Sequence, residues 1–335
     1  MIAGLIVAAA TFLTMQGCNE AKKPQLRPFE LKIPLGLDPN AEYVPVDNPL
    51  TAEKIELGRK LFFDARLSLD GTVSCAMCHN PSLGFSDGRS VALGIYGQEL
   101  TRSAPSIINR LFSKMQFWDG RARNLEDHVQ KAIQDSIEMG NTAENVVQAL
   151  KASNEYVEEF QQSFGTDVTI DGVKKAIASF ERTLLSGNSP YDQFKAGDKN
   201  ALSESAKRGL ALFESQRVNC VACHSGFNFT DEKFQNNGTG MDKKEPDWGR
   251  FNETKNDSDR GAFKTPTLRD MSRTAPYMHD GSLRTLLDVV NFYNKGGIPN
   301  KNLSPHVKPL NLTEEEKADL VAFLKSLTGT NPLVF

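Results

Sequence analysis

The apolar positions along the chain recur with a helical period. In residues 52–63, Ile55 and Phe62 share one face, Leu57 and Leu61 lie beside it, and Thr51 stands at the N-cap position. The same spacing predicts helices over 125–137, 143–164 with an interruption near Asn154, 172–186, 203–213 and 313–327. No segment alternates apolar and polar positions with Val, Ile and Thr enrichment, so the prediction is an all-α fold with long connecting loops. Residues 2–15 are apolar but too few to span a bilayer, and they have the character of an export signal. Residues 19–47 mix charge, Pro and Gly without sustained periodicity and read as a tether followed by an extended segment.

The pattern occurs twice. Gly58-x-x-Leu61-Phe62, Cys75-x-x-Cys78-His79 and Phe85-Ser86-Asp87 return in the same order as Gly209-x-x-Leu212-Phe213, Cys220-x-x-Cys223-His224 and Phe229-Thr230-Asp231. An internal repeat of this kind predicts two related domains, 48–190 and 191–335, with a linker near the Gly-, Ser-, Asn- and Pro-containing stretch 186–200.

Composition changes this picture little. Hydrophobic residues at 39% and charged residues at 24% are ordinary for a soluble globular protein, and a net charge of −3 without a Lys/Arg run argues against a nucleic-acid partner. Cysteine usage changes it more. Four of the five cysteines lie in the two C-x-x-C-H units. The fifth, in Met15-Gln16-Gly17-Cys18, resembles a lipobox, in which the cysteine is lipidated and becomes the new N-terminus. An ordinary signal peptide with an unrelated cysteine is the alternative, and no Lys or Arg precedes residue 22 to supply the usual basic start. The expectation is an exported protein, anchored through lipid after an export signal over 1–18, with no cysteine left for disulfides.

A C-x-x-C-H unit attaches a c-type haem: the thiols bond its vinyl groups and the histidine binds its iron. Zinc would want more thiolates or histidines nearby. Cys75, Cys78, Cys220 and Cys223 are therefore read as attaching two covalently bound haem c groups, with His79 and His224 as iron ligands. What stands at the sixth position of each iron decides between electron transfer and chemistry.

Five signatures in order carry a resemblance that runs from about Asn48 to Leu327: C-x-x-C-H, Phe117-Trp-Asp-Gly-Arg-Ala122, Glu138-Met-Gly140, C-x-x-C-H and Thr274-Ala-Pro-Tyr-Met-His-Asp-Gly281. With their surroundings, 117–140 and 261–297, they resemble the bacterial di-haem cytochrome c peroxidase family, which includes the MauG-type enzymes. The resemblance implies a peroxidatic N-terminal haem and a C-terminal haem that receives and stores electrons. It implies Trp118 on the electron path between them and Glu138 over the N-terminal haem, where a carboxylate can shuttle the proton that peroxide cleavage requires. Relatives commonly carry a glutamine ten residues before that glutamate; here His128 stands in its place, as a pocket residue or as a helix-surface histidine. In relatives that need reductive activation, a loop histidine caps the first iron. The corresponding stretch 91–106 holds no histidine, and Tyr96 stands about where one is expected. The expectation is a first haem open to peroxide without prior reduction, with Tyr96 as a labile cap the lesser alternative.

For the second iron, the family's sixth ligand lies fourteen residues after the histidine of H-D-G, here His279, which leads to Tyr293. MauG-type relatives use a tyrosine there, and an anionic phenolate lowers the potential where a thioether raises it. A packed aromatic at 293, or ligation by Met278 or Met271, are the alternatives. His279 itself reads as loop-structuring and His306 as solvent-exposed. The family also places calcium between the domains, implying Thr274 and Pro276 carbonyls and, at the place of an amide absent here, Ser103. The implied partners are hydrogen peroxide and a small electron-donor protein, a cytochrome c or cupredoxin, and a homodimer is compatible. Two rivals stand: a MauG-type oxidase of a partner protein's residues, and a plain electron-transfer cytochrome, which would need both irons capped by strong ligands.

Overall fold

The computed structural model describes residues 26–330, so the expected export signal and Cys18 lie outside the described residues. In the first half, Thr51 accepts the Lys54 N–H at 3.3 Å and opens α1 (Ala52–Phe62). α2 (Cys75–Cys78), α3 (Leu125–Gln134), α4 (Ala143–Lys151), α5 (Asn154–Phe164) and α6 (Ile170–Glu181) follow. The second half holds α7 (Pro190–Lys195), α8 (Glu204–Glu214), α9 (Phe251–Thr254), α10 (Leu286–Asn294) and α11 (Glu314–Lys325). Its two short strands, β1 (Phe234–Gln235) and β2 (Phe263–Lys264), pair antiparallel and do not alter the helical class.

The repeat has a physical origin. α1 crosses α6 at Gly58, where a Cβ would lie 1.9 Å from the Ala176 carbonyl oxygen; α8 crosses α11 at Gly209, where it would lie 1.9 Å from that of Asp319. Only glycine permits either approach. Next to each crossing an aromatic pair closes edge-on or tilted, Phe62 with Phe180 at 5.2 Å and Phe213 with Phe323 at 4.9 Å. The phenylalanine after each C-x-x-C-H completes the group: Phe85 meets Phe62 at 6.4 Å and Phe229 meets Phe213 at 6.1 Å. Each half thus has its own apolar core, one running from Leu57 to Leu184 and the other from Leu202 to Leu327.

The helix ends differ from the pattern where a polar side chain outbids the apolar period. The helix expected to reach residue 137 stops at Gln134, because Asp135 turns its carboxylate onto the Ile137 and Glu138 N–H groups at 2.9 and 3.2 Å. Within the stretch read as a linker, Pro190–Lys195 forms a helix closed by a Ser189–Asp192 capping box. Asp192 also pairs with Arg269, N to O 2.8 Å, both side chains 1% exposed. Arg269 further donates to the Gly36 carbonyl at 2.8 Å, so the extended N-terminal segment, α7 and the rest of the second half are pinned at one point. Leu37, Leu111 and Leu185 form a small third cluster there, with Phe112 and Phe227 against it. Among the described residues no helix is long and apolar enough to cross a membrane.

Candidate functional site

α2 carries Cys75 and Cys78, and His79 caps it, its N–H donating to the Cys75 carbonyl at 2.9 Å. In the second half Cys220–Ala222 is a tighter 3-10 turn, yet His224 makes the same bond to Cys220 at 2.9 Å. Each histidine ring is then fixed from behind. His79 Nδ1 lies 3.1 Å from the Phe85 carbonyl oxygen, and His224 Nδ1 lies 3.0 Å from that of Phe229. A carbonyl can only accept, so Nδ1 carries the proton and Nε2 is left bare for a metal. Both phenylalanines adopt left-handed φ, 59° and 51°, which turns their carbonyls onto the rings; this costs roughly 1–2 kcal/mol each, offset by burial of the rings. Burial lowers His79 to about 4, keeping it neutral. None of the four described cysteines is in a disulfide.

Around His79, one cavity is lined by Cys75, Cys78, His128, Glu138 and Glu181. Cys220, Cys223, His224, Tyr293 and Met278 line a second. The donor sets fit a covalently attached haem in each half. A further fit is Arg110: buried, it hydrogen-bonds only to the Gln116 amide oxygen at 2.6 Å and the Met115 carbonyl at 2.8 Å. It lines the larger cavity, where its charge, attracted by Glu232 and Glu181, would also suit an anionic propionate.

Glu138 projects from the turn that Asp135 creates, and burial pushes its carboxyl up to about 7. His128, on α3, is 6.4 Å from the His79 ring, centre to centre, and 4.4 Å from that of Phe117. Its Nδ1 is buried without a hydrogen-bond partner, and burial together with His79, Arg110 and Arg121 holds its pKa well below the usual range. It borders both cavities, which separates it from a helix-surface histidine.

Tyr96 lies outside this cavity, 68% exposed. The loop carrying it is tied to the Glu138 turn: Ile95 N–H is shared by the Ile137 and Glu138 carbonyls at 3.2 and 3.1 Å, and Tyr96 N–H donates to Asp70 at 2.9 Å. A Cβ at Gly94 would lie 1.8 Å from the Ile137 oxygen.

Trp118 sits at the seam between the halves. Its indole N–H donates to the Ser103 carbonyl at 2.9 Å, and its own carbonyl accepts from Lys264 N–H at 2.7 Å. Ser103 in turn donates from its hydroxyl to Met278 O at 2.9 Å and from its N–H to His279 O at 2.8 Å. Arg102 fastens the same seam through Asp119 and Asp247, each at 2.6 Å. His279 stacks on Phe263 at 3.7 Å and 13°, the loop-structuring role read for it, and His306 is exposed at the rim of the larger cavity.

Ser103, Thr274 and Pro276 also meet on the wall of the larger cavity. They offer one hydroxyl and two carbonyls to a cation that takes about 6–8 oxygens. Among the described residues no cluster of three or more His, Cys, Asp or Glu joins them. These three oxygens would fill at most half of such a shell, leaving the rest to water.

The sequence pattern missed Arg110, Glu181 and Asn237. Glu181 is 2% exposed with Oε2 unpartnered, and burial pushes it up to about 8; on the pattern it is one more polar residue at a helix end.

The family model for di-haem cytochrome c peroxidase matches residues 52–200, and that for cytochrome c matches 206–328. Methylamine utilization protein MauG of Methylorubrum extorquens is 45% identical over 287 residues, covering 84% of this chain and 80% of that protein. Cytochrome c551 peroxidase of Nitrosomonas europaea is 37% identical over 287 residues, covering 85% and 82%. A crystal structure of a MauG-like protein associated with microbial copper homeostasis superposes with a TM-score of 0.84 at 32% identity, over 90% of this chain and 96% of that one.

Proposed function

The chain belongs to the di-haem cytochrome c peroxidase family, and from that premise we propose that it reduces hydrogen peroxide in the first half with electrons entering through the second. The overall change is H2O2 + 2 H⁺ + 2 e⁻ → 2 H2O. A bound haem c supplies the redox-active iron in each half. The observation that carries the reading is the sharing of one cavity by Glu138, His128, His79 and the first thiol pair.

Glu138 would take the proton from one peroxide oxygen and return it to the other, which leaves as water. A carboxyl near 7 can do both at neutral pH. His128, kept neutral by burial, hydrogen-bonds peroxide and keeps the pocket ordered. Trp118, held from both halves, is the proposed route for electrons. The exposed Tyr96 leaves the open face to peroxide, so activity needs no prior reduction.

A second reading, oxidation of residues on a partner protein in the manner of MauG, is favoured by Tyr293, whose phenol faces the second cavity beside Cys220 and Cys223. The donor in the first reading is a small cytochrome c or cupredoxin. Export and a lipid anchor at Cys18 remain part of the proposal, and so does a calcium site completed mostly by water, for which metal analysis of the purified protein is the check.

EPR and optical spectra of the as-isolated diferric protein test the central claim. One high-spin and one low-spin ferric haem that respond promptly to peroxide are expected. Two low-spin signals, with no response until the protein is reduced, would sink it.

A further inference from the structure

After β1 the chain turns through Asn236, Asn237, Gly238 and Thr239 against the loop that follows α10. The backbone has little freedom there. Gly238 has φ +87°, and a Cβ on it would lie 2.2 Å from the Ile298 carbonyl oxygen; one on Gly297 would lie 2.3 Å from that of Asn237. Gly238 N–H also donates to Asn236 Oδ1 at 2.8 Å.

The Asn237 carboxamide is fixed at both ends. Its Oδ1 accepts from the Thr239 N–H at 3.0 Å and the Thr239 hydroxyl at 2.8 Å. A backbone N–H can only donate, so the oxygen must face Thr239 and the NH2 must face away. There the NH2 meets two groups of the second cavity: the Tyr293 phenol oxygen at 3.0 Å and the Met278 sulfur at 3.6 Å. Both residues line the cavity with His224, and both carry an atom able to bind haem iron. One NH2 group therefore faces both candidate ligands, with an N–H for each.

We infer that Asn237 is a positioning residue of the second haem site, whose amide holds the Tyr293 oxygen in place and keeps the Met278 sulfur engaged, so that Tyr293 rather than Met278 becomes the sixth ligand. The inference rests on Tyr293 being that ligand. Its consequence is a choice of potential: phenolate ligation favours the ferric state and thioether ligation the reduced one.

The test uses the diferric and half-reduced holoprotein, read by EPR, near-infrared magnetic circular dichroism and redox titration. Tyr293→Phe checks the underlying reading: an unchanged low-spin signal would remove Tyr293 as ligand and the inference with it. With that reading intact, Asn237→Ala is expected to add a second low-spin population with a sulfur-to-iron charge-transfer band and a higher midpoint potential. Combining it with Met278→Leu should abolish that population. Asn237→Asp, which keeps an oxygen for the Thr239 N–H and hydroxyl but has no amide N–H for Tyr293 or Met278, should give the same population and serves if Asn237→Ala does not fold. If the available variant, Asn237→Ala or Asn237→Asp, keeps the single parental low-spin signal at any potential, Asn237 does not choose the ligand.

Discussion

Glu138 and Glu181 are both carboxyls in one cavity, and their surroundings set them different tasks. In the role proposed for it, Glu138 is ionised when it accepts the peroxide proton, so kcat/KM for peroxide should rise with pH through about 7 and then level off. Glu138→Gln should lower turnover by about 10²–10⁴ and remove that rise, with the haem absorption spectrum retained. Loss of haem absorption in that variant would mean a structural role instead. Glu181 faces Arg182, Glu126 and Arg110, yet burial dominates and raises it from 4.5 to about 8. A carboxyl raised on folding binds an extra proton in the native state between those values. Its stabilising contribution is complete below pH 4.5 and is lost as pH climbs towards 8. Glu181→Gln should therefore flatten the decline in melting temperature over that window; an unchanged slope would show that Glu181 does not titrate there. Glu138 was legible in the sequence only through the family resemblance, because a Glu beside Met near a helix end otherwise reads as surface charge. Glu181 was not legible at all, since nothing local says that the end of α6 is buried.

At the scale of elements, the residues that matter most are those that let two backbones approach. Gly58 and Gly209 recur in the repeat because each is the crossing point of a helix pair, so the period in the sequence is a record of packing. Gly94 is less conspicuous, and it ties the loop that lacks a capping histidine to the turn that presents Glu138. Gly94→Ala places a methyl against the Ile137 carbonyl and should cost about 1–3 kcal/mol in urea denaturation while also lowering peroxide turnover. Gly97→Ala is the control: no atom lies within 4 Å of its Cβ position, so only the cost of φ +69° remains and activity should hold. Equal loss of activity in both would separate the loop from the Glu138 turn. The early end of α3 belongs to the same scale. The apolar period ran on to 137, but one carboxylate at Asp135 collects two N–H groups and bends the chain where the site needs it.

Polar contacts organise the whole molecule, within the second half and across the seam between the halves. Asp192 was expected in a linker, yet it caps α7 and pairs with Arg269 out of water. Asp192→Asn would remove the carboxylate paired with buried Arg269, at a cost of about 3–5 kcal/mol read from a chemical denaturation midpoint. A cost below about 1 kcal/mol would mean that water reaches the guanidinium. Trp118 and Ser103 lie on the seam between the halves, which holds the proposed electron route by hydrogen bonds from both sides instead of by apolar packing alone.

By itself the sequence determined the class of the fold, the repeat, the two C-x-x-C-H units with their four cysteines and two histidines, and the order of signatures that identifies the family. These are local patterns: each rests on spacing within one turn or one helix, and short-range geometry follows from spacing. Tertiary structure decided which carboxyls are buried, that Tyr96 points outward, that the expected linker is anchored, and that one amide faces both Tyr293 and Met278. Burial and partnership depend on residues as far apart as 192 and 269, or 237 and 293, and no local period carries that information.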